Sequence, residues 1–531
     1  MTVLDTCSGA PTPTGGASFP GFGEGAPLDL SSLSDREHAG LLSRLVDGSH
    51  RGLSDAIASV GNCSHPIRLV GSSQTIDRAT GEVVSSYSSQ DAPLGELLVP
   101  CGNRRASWCP ACSRVYARDT FELIRAGVVG GKTVPASVAG SPLLFVTFTA
   151  PSFGHVHGLR PDGGRCRPRS SDRVTTCEHG VRLSCNASHA EGDAIVGSPL
   201  CWDCYDWTSA VVWQWHAPEL WRRTTIAVRR ALAQRLGIKR SKLNDVASVQ
   251  FAKVGEYQER GLIHFHALIR LDGPDGPGSP APLDGLAFAD VIRTTAPLVT
   301  VTAPPTDEDD RARTLAWGRQ LDVRVINTGG RVVDDARTAD ELTPEQVAGY
   351  LAKYATKDAT DLRHGDTRQR PHLARMTREC RRLHRLAVDR GETRRCGDPT
   401  VAPALPDGSD PYALLGKWAH MLGFRGHFST KSRRYSVTLG RLRRARARYM
   451  RLVQQAERDR VPLDVRDLET RLLADDDEDE TTLVVGSWVY AGSGWPRPGD
   501  AALATAAAAR AREYAQWKAE QRRTSPTNTK P

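Results

Sequence analysis

Apolar and polar positions along this chain repeat with period two in some stretches and with helical period in others. Residues 142–150, PLLFVTFTA, are β-branched and aromatic between Pro142 and Pro151, and read as a strand. Two more strands are predicted at 246–254 and 262–271, joined by a turn at Gln258–Gly261, and a further one at 321–326. Helical periodicity marks 208–236, which stops at Gly237. It also marks 344–357, where Thr343 can cap, Pro344 suits the first position and Gln346 completes a capping box. Further helices are expected around 372–389 and 439–458, and over the Ala/Arg-rich residues 501–523. Residues 155–206 and 272–284 are dominated by turn residues and read as loops, and residues 1–35, rich in Gly, Pro and Ser, as a flexible head. No internal repeat interrupts this order.

The chain has 531 residues, of which 39% are hydrophobic, enough for more than one buried core. No run of about 18 apolar residues suits a membrane span. The first residues, MTVLDTCSGAPTPTGG, lack the basic start and apolar core of a secretory signal, so a cytoplasmic protein is expected. The formal charge is +9. Its distribution is more informative than its sum. Arginines crowd residues 368–395 and again 431–451, while acids collect at Asp307–Asp310 and Asp475–Glu480. Such stretches suit phosphate contact, and Arg381, Arg382, Lys431, Arg433 and Arg434 are candidate DNA-binding residues.

The stretch GLIHFHALIRL at 261–271 carries the sharpest chemical signal. Successive side chains on a strand face opposite ways, so His264 and His266 share one face. Two imidazoles so placed can grip one divalent cation. Glu256, on the preceding strand, joins them if the turn has an odd number of residues; an even turn promotes Glu259 instead. Two nitrogens and a carboxylate with open water positions suit Mg²⁺ or Mn²⁺ at a site that also binds phosphate. A second His-x-His, His155 and His157, lies in a loop and is either incidental or part of a zinc region. On the helix PEQVAGYLAKYATK, Val347, Tyr350, Leu351 and Tyr354 fall on one face, and Lys353 and Lys357 each follow a tyrosine by three.

Nine of the twelve cysteines lie at Cys63 or between residues 101 and 204. In a cytosolic protein such clustering points to metal rather than disulfides. Cys109 and Cys112 have zinc-knuckle spacing, with Cys101 as a third ligand and Cys63 or His65 as a fourth. A second group runs through Cys166, Cys177, His179, Cys185, His189, Cys201 and Cys204; Cys201 and Cys204 repeat the spacing, and Cys177 with His179 or Cys185 can complete a second site. Two structural zinc ions are therefore expected. Cys7, Cys380 and Cys396 stand apart.

Three elements in order, FVTFTAPSFG at 145–154, the GLIHFHALI strand and VAGYLAKYATKDAT at 347–360, resemble the HUH endonucleases, and most of all the rolling-circle replication initiators of actinomycete plasmids. The resemblance implies an α+β fold: an HUH-type antiparallel sheet with flanking helices, zinc-binding segments, and a helical basic C-terminal region. It implies that His264 and His266 bind metal and that Tyr354 attacks DNA, leaving a 5′-phosphotyrosine link and a free 3′-hydroxyl. In the similar single-tyrosine initiators a glutamate stands four residues before that tyrosine. Here the position is Tyr350, either a second nucleophile, as in the two-tyrosine phage proteins, or a packing residue. Lys353 and Lys357 would stabilise the developing anion. The stretch 422–440, with Gly426, His427, Lys431, Arg433 and Arg434, also resembles these plasmid proteins.

The expected organisation is a flexible head (1–60), a zinc-binding region (61–140), a nuclease domain (141–362) with a zinc-binding insertion at about 160–206, a basic DNA-binding region (363–470), and an acidic linker, helix and tail (471–531). The partners implied are single- and double-stranded origin DNA with a host helicase and polymerase, since the chain has no P-loop of its own. The competing readings are a relaxase or transposase of the same superfamily, and a zinc-containing DNA-binding regulator without catalysis.

Overall fold

The computed structural model describes residues 33–50, 52–92, 94–160, 162–168, 175–329, 344–355, 370–395, 410–474 and 482–524. In chain order the strands are β1 (Ile67–Asp77), β2 (Val83–Ser88), β3 (Leu97–Val99), β4 (Leu143–Phe148), β5 (Ser248–Tyr257), β6 (Ile263–Asp272), β7 (Thr300–Ala303), β8 (Arg313–Ala316), β9 (Leu321–Asn327), β10 (Ser429–Lys431) and β11 (Thr482–Ser493). The helices are α1 (Asp35–Val46), α2 (Leu53–Ser59), α3 (Pro110–Val129), α4 (Trp207–Arg235), α5 (Gly285–Thr295), α6 (Pro344–Ala355), α7 (Pro371–Arg395), α8 (Leu439–Asp459), α9 (Leu468–Leu473) and α10 (Asp500–Thr524). The fold is mixed α and β with antiparallel sheets. Its contacts divide it into two units, residues 1–119 with 474–531, and residues 120–473.

In the first unit β1 pairs with β2, β3 and β11, all antiparallel. β11 lies in the stretch expected to be linker. Its residues LVVGSWVY carry the β-branched signal of a strand, masked in the sequence by the acidic run before it. Arg44 on α1 forms a buried ion pair with Asp500 at the start of α10. Residues 33–60, part of the expected flexible head, hold α1 and α2, because Leu53, Ile57, Leu503 and Ala504 bury one another. Residues 1–32 and Cys7 lie outside the described residues.

The second unit is built on a five-stranded antiparallel sheet in the order β10-β5-β6-β4-β9. Alternation divides β6 between two cores. Ile263, Phe265, Ala267, Ile269 and Leu271 face a large cluster with residues of α4, α5 and α7. Leu268 faces a second cluster with Phe145, Val254, Leu123 and Ile124 of α3, and Val347, Ala348 and Leu351 of α6. Being covered on both sides makes β6 nearly continuous in apolar residues apart from the positions that carry chemistry. Asp206 caps α4, accepting from the Ser209 N–H at 2.8 Å. α5, capped the same way by Asp284, and the β7–β8 hairpin are elements the periodicity did not reveal. Thr343, Lys357, Cys396 and the basic residues 362–369 lie outside the described residues. No helix among the described residues is long and apolar enough to cross a membrane.

Candidate active site

The β5–β6 turn comprises residues 258–262, between the paired Tyr257 and Ile263, an odd number. Glu256 therefore sits directly across from His264, on the histidine face. Its Oε2 lies 3.1 Å from His264 Nε2 and 3.4 Å from His266 Nε2. One ligand atom from each of the three falls within 4.8 Å of the others, so the group can hold a metal ion. The alternative acid, Glu259, is turned away and forms an ion pair with Arg370.

The turn that fixes this parity is held from several sides. Buried Gln214 on α4 donates to the Gly261 carbonyl at 3.1 Å and accepts from the Ile263 N–H at 2.9 Å. Arg260 donates to the carbonyls of Ala150 and Pro151, each at 2.8 Å, which ties the turn to the chain leaving β4. His372 Nε2 lies 2.9 Å from the Glu259 carbonyl. Gly261 has φ +80°, a conformation glycine adopts freely.

The strand β4 supplies what the FVTFTAPSFG pattern alone did not specify. Thr147 pairs with His266, and its hydroxyl oxygen is 3.0 Å from His266 Nδ1. When Nδ1 carries the proton and donates to Thr147, Nε2 keeps its lone pair toward Glu256, the tautomer a metal ligand needs. Phe145 stacks on the same imidazole at 5.6 Å between ring centroids. Burial holds His266 below the ordinary imidazole value despite the pull of Glu256, so the ring is neutral at pH 7.

Tyr350 on α6 lies against this group. Its ring meets His266 edge-on at 5.4 Å and Phe145 at 5.8 Å, with 39% of the residue exposed. Tyr354 and Lys353 are one turn further along α6, but their side chains, like the whole of Lys357, lie outside the described residues.

Among the described residues, cysteine sulfur and histidine nitrogen atoms gather into three groups, each of which can hold a metal ion. Cys63, Cys101, Cys109 and Cys112 form the first, so Cys63 and not His65 is the fourth member; His65 stacks on Trp108 at 4.4 Å. The thiols of Cys112 and Cys63 and the N–H groups of Cys112 and Ser64 converge on Cys109 and hold it far below the ordinary thiol value. Cys177, His179, Cys201 and Cys204 form the second. Cys185 does not belong there: it joins His157, Cys166 and His189 in a third group. His157 is thus a member of a cysteine site, whereas His155 instead lies 3.4 Å from Arg167. Where two sites were expected, the described residues form three such groups, because Cys-x-x-Cys spacing exposes only ligands that are neighbours in sequence. Cys380 is a buried core residue.

The candidate phosphate contacts differ in availability. Arg433 and Arg434 line one groove together with Arg229 and Arg240. Arg381 is exposed, while Arg382 is held by Glu379 at 2.7 Å. Lys431 turns its ammonium to the Ser436 carbonyl at 2.8 Å, and burial pushes it down to about 8.

Residues 49–509 match the model of the RepSA family, described as replication initiator protein, pSAM2, and the chain belongs to that family of replication initiators. Among curated proteins, a replication initiator protein of Streptomyces ambofaciens is 41% identical over 455 residues, covering 85% of this chain and 88% of that protein. No solved structure matches the chain.

Proposed function

We propose that this replication initiator is an HUH-type endonuclease that starts rolling-circle replication of a plasmid by nicking one strand of origin DNA with a tyrosine. The observation that carries the reading is the Glu256–His264–His266 group with the ring of Tyr350 against His266. Two imidazole nitrogens and one carboxylate fit Mg²⁺ or Mn²⁺, which when bound neutralises charge on the scissile phosphate. The phenolate oxygen of Tyr354 attacks phosphorus, and the bond from phosphorus to the 3′-oxygen breaks. The 5′-phosphate stays on the tyrosine and the 3′-oxygen takes up a proton to become the hydroxyl that a host polymerase extends. Lys353 and Lys357 favour the phenolate and the developing charge. Tyr350, one helical turn before Tyr354 on the same face, is placed to take the second transfer that ends a round.

The nuclease domain spans residues 141–362 and the basic region 363–470 grips the DNA backbone, with Arg433 and Arg434 as phosphate contacts. Zinc in the Cys63/Cys101/Cys109/Cys112 and Cys177/His179/Cys201/Cys204 groups is structural, since four protein ligands leave no position open for substrate. Unwinding is left to a host helicase, and the protein acts in the cytoplasm.

The test is cleavage of single-stranded origin oligonucleotides by the full chain with Mg²⁺ or Mn²⁺. Wild type is compared with Tyr354→Phe, Tyr350→Phe and the His264→Ala/His266→Ala pair. A covalent protein–DNA adduct is expected that needs the metal and both histidines and is lost in Tyr354→Phe. Binding without nick or adduct across the whole origin would replace this reading by that of a zinc-containing DNA-binding regulator.

A further inference from the structure

Spacing in the sequence does not mark His157, Cys166, Cys185 and His189 as one site, and the nicking reading makes no use of the group they form. We propose that it is a third structural zinc site, of His₂Cys₂ type, that braces the turn of the β5–β6 hairpin.

Two edges of the group match a ligand tetrahedron, and all four ligand atoms lie within 4.8 Å of one another. Bond lengths of about 2.05 Å to nitrogen and 2.3 Å to sulfur require edges of about 3.3 Å between two nitrogens and about 3.5 Å between nitrogen and sulfur. His157 Nδ1 is 3.3 Å from His189 Nε2, and Cys185 Sγ is 3.5 Å from that same Nε2. A single Nε2 carries at most one proton, so hydrogen bonding accounts for only one of the two contacts as a donation from His189. A shared cation accounts for both. Cys166 is buried, and the Gly158 N–H donates to its sulfur at 3.1 Å. On its other side the His189 ring faces Asp193, with Nδ1 3.8 Å from the carboxylate. Comparable edges occur in the two other groups: Cys63 and Cys109 are 3.8 Å apart, close to the separation of two zinc-bound sulfurs, and His179 Nδ1 is 3.7 Å from Cys201 and 3.2 Å from Cys204.

The connection to the hairpin runs through His157. Its backbone exchanges two hydrogen bonds with the returning chain: its N–H donates to the Ser198 carbonyl at 2.8 Å, and its carbonyl accepts from Gly197 at 2.9 Å. Gly197, with φ +87°, is pressed against the turn so closely that a Cβ there would lie 2.2 Å from the Glu259 carbonyl oxygen and 2.6 Å from the Arg260 nitrogen. One ligand residue thus ties the metal group to the neck of the loop, and the neck to the turn that sets Glu256 opposite His264.

Zinc content is measured on the full chain by native mass spectrometry and elemental analysis. A His264→Ala/His266→Ala background removes any contribution from that pair. Three zinc ions per chain are expected. Cys166→Ser/Cys185→Ser should leave two, as should Cys177→Ser/Cys201→Ser. No loss of zinc in the Cys166/Cys185 variant, whatever the count in the parent protein, overturns the site. Should that variant not fold, the count in the parent protein decides. Hydrogen exchange tests the bracing: amides of residues 258–263 should exchange at least tenfold faster in the Cys166/Cys185 variant than in the parent, and unchanged exchange there refutes it.

Discussion

Replacing Thr147 by valine tests whether the β4 hydroxyl prepares His266 to bind metal. Valine keeps the shape and the β-branching that suits the strand, so the change removes little but the hydroxyl. The hydroxyl oxygen stands 3.0 Å from His266 Nδ1. A neutral hydrogen bond contributes about 0.5–1.5 kcal/mol net. Loss of the outer partner of a metal-bound histidine costs about ten- to a hundredfold in affinity, or about 1.4–2.7 kcal/mol. The two ranges meet near 1.4 kcal/mol, so Thr147→Val should weaken Mn²⁺ binding about tenfold. Thr147→Ser, which retains the hydroxyl, should recover most of it. The assay is a Mn²⁺ titration of the zinc-loaded full chain followed by electron paramagnetic resonance, with the thermal unfolding midpoint as a control for folding. Wild-type affinity in Thr147→Val, or equal weakening in Thr147→Ser, would refute the argument.

Three further outcomes follow from the second unit. Asp272→Asn leaves Arg270, fully buried beside it, without a compensating charge; the cost is about 3–5 kcal/mol and should appear as a lower urea midpoint, with an unchanged midpoint counting against it. Lys253 is buried with its ammonium 4.0 Å from the Phe265 ring centre, and burial pushes it down to about 7. The unfolded chain holds that proton up to about 10.5, so between pH 7 and 10.5 the unfolded state binds more protons and stability rises with pH. Lys253→Met should therefore stabilise most at pH 7 and below, an advantage that narrows toward pH 10.5; a gain independent of pH in unfolding curves would contradict this. Gly261→Ala adds about 1–2 kcal/mol of backbone strain. Its Cβ would also lie 2.8 Å from Leu373 and 2.9 Å from the Met376 sulfur, so both the unfolding midpoint and Mn²⁺ affinity should fall, and retention of both would show that the turn is not rigidly held.

Much of the sheet was legible because its strands are locally distinctive. Leu143–Phe148, Ser248–Tyr257, Ile263–Asp272 and Leu321–Asn327 fall within a few residues of the stretches that β-branched and aromatic patterning marks. β11 was not, since its partner β1 lies some 400 residues earlier and no local pattern announces such a pairing. The helix α6 was readable from Pro344 and its apolar spacing, although nothing in that spacing told that Tyr350 would lie on the His266 ring.

The sequence alone determined that His264 and His266 share a face, because alternation on a strand does not depend on what surrounds it. It also determined that Cys109 with Cys112 and Cys201 with Cys204 act in pairs, since two intervening residues bring the sulfurs together locally. Which carboxylate meets the histidines was decided by the five-residue turn, and that turn's shape by Gln214, Arg260 and His372 from distant elements. Tertiary structure alone decided that Cys63 completes the first cysteine group and that Cys185 leaves the second for His157, Cys166 and His189. Local spacing constrains neighbours a few residues apart. A four-ligand site assembled across more than thirty residues depends on where the intervening chain is pinned, and here the pins are backbone pairs such as His157 with Gly197 and Ser198.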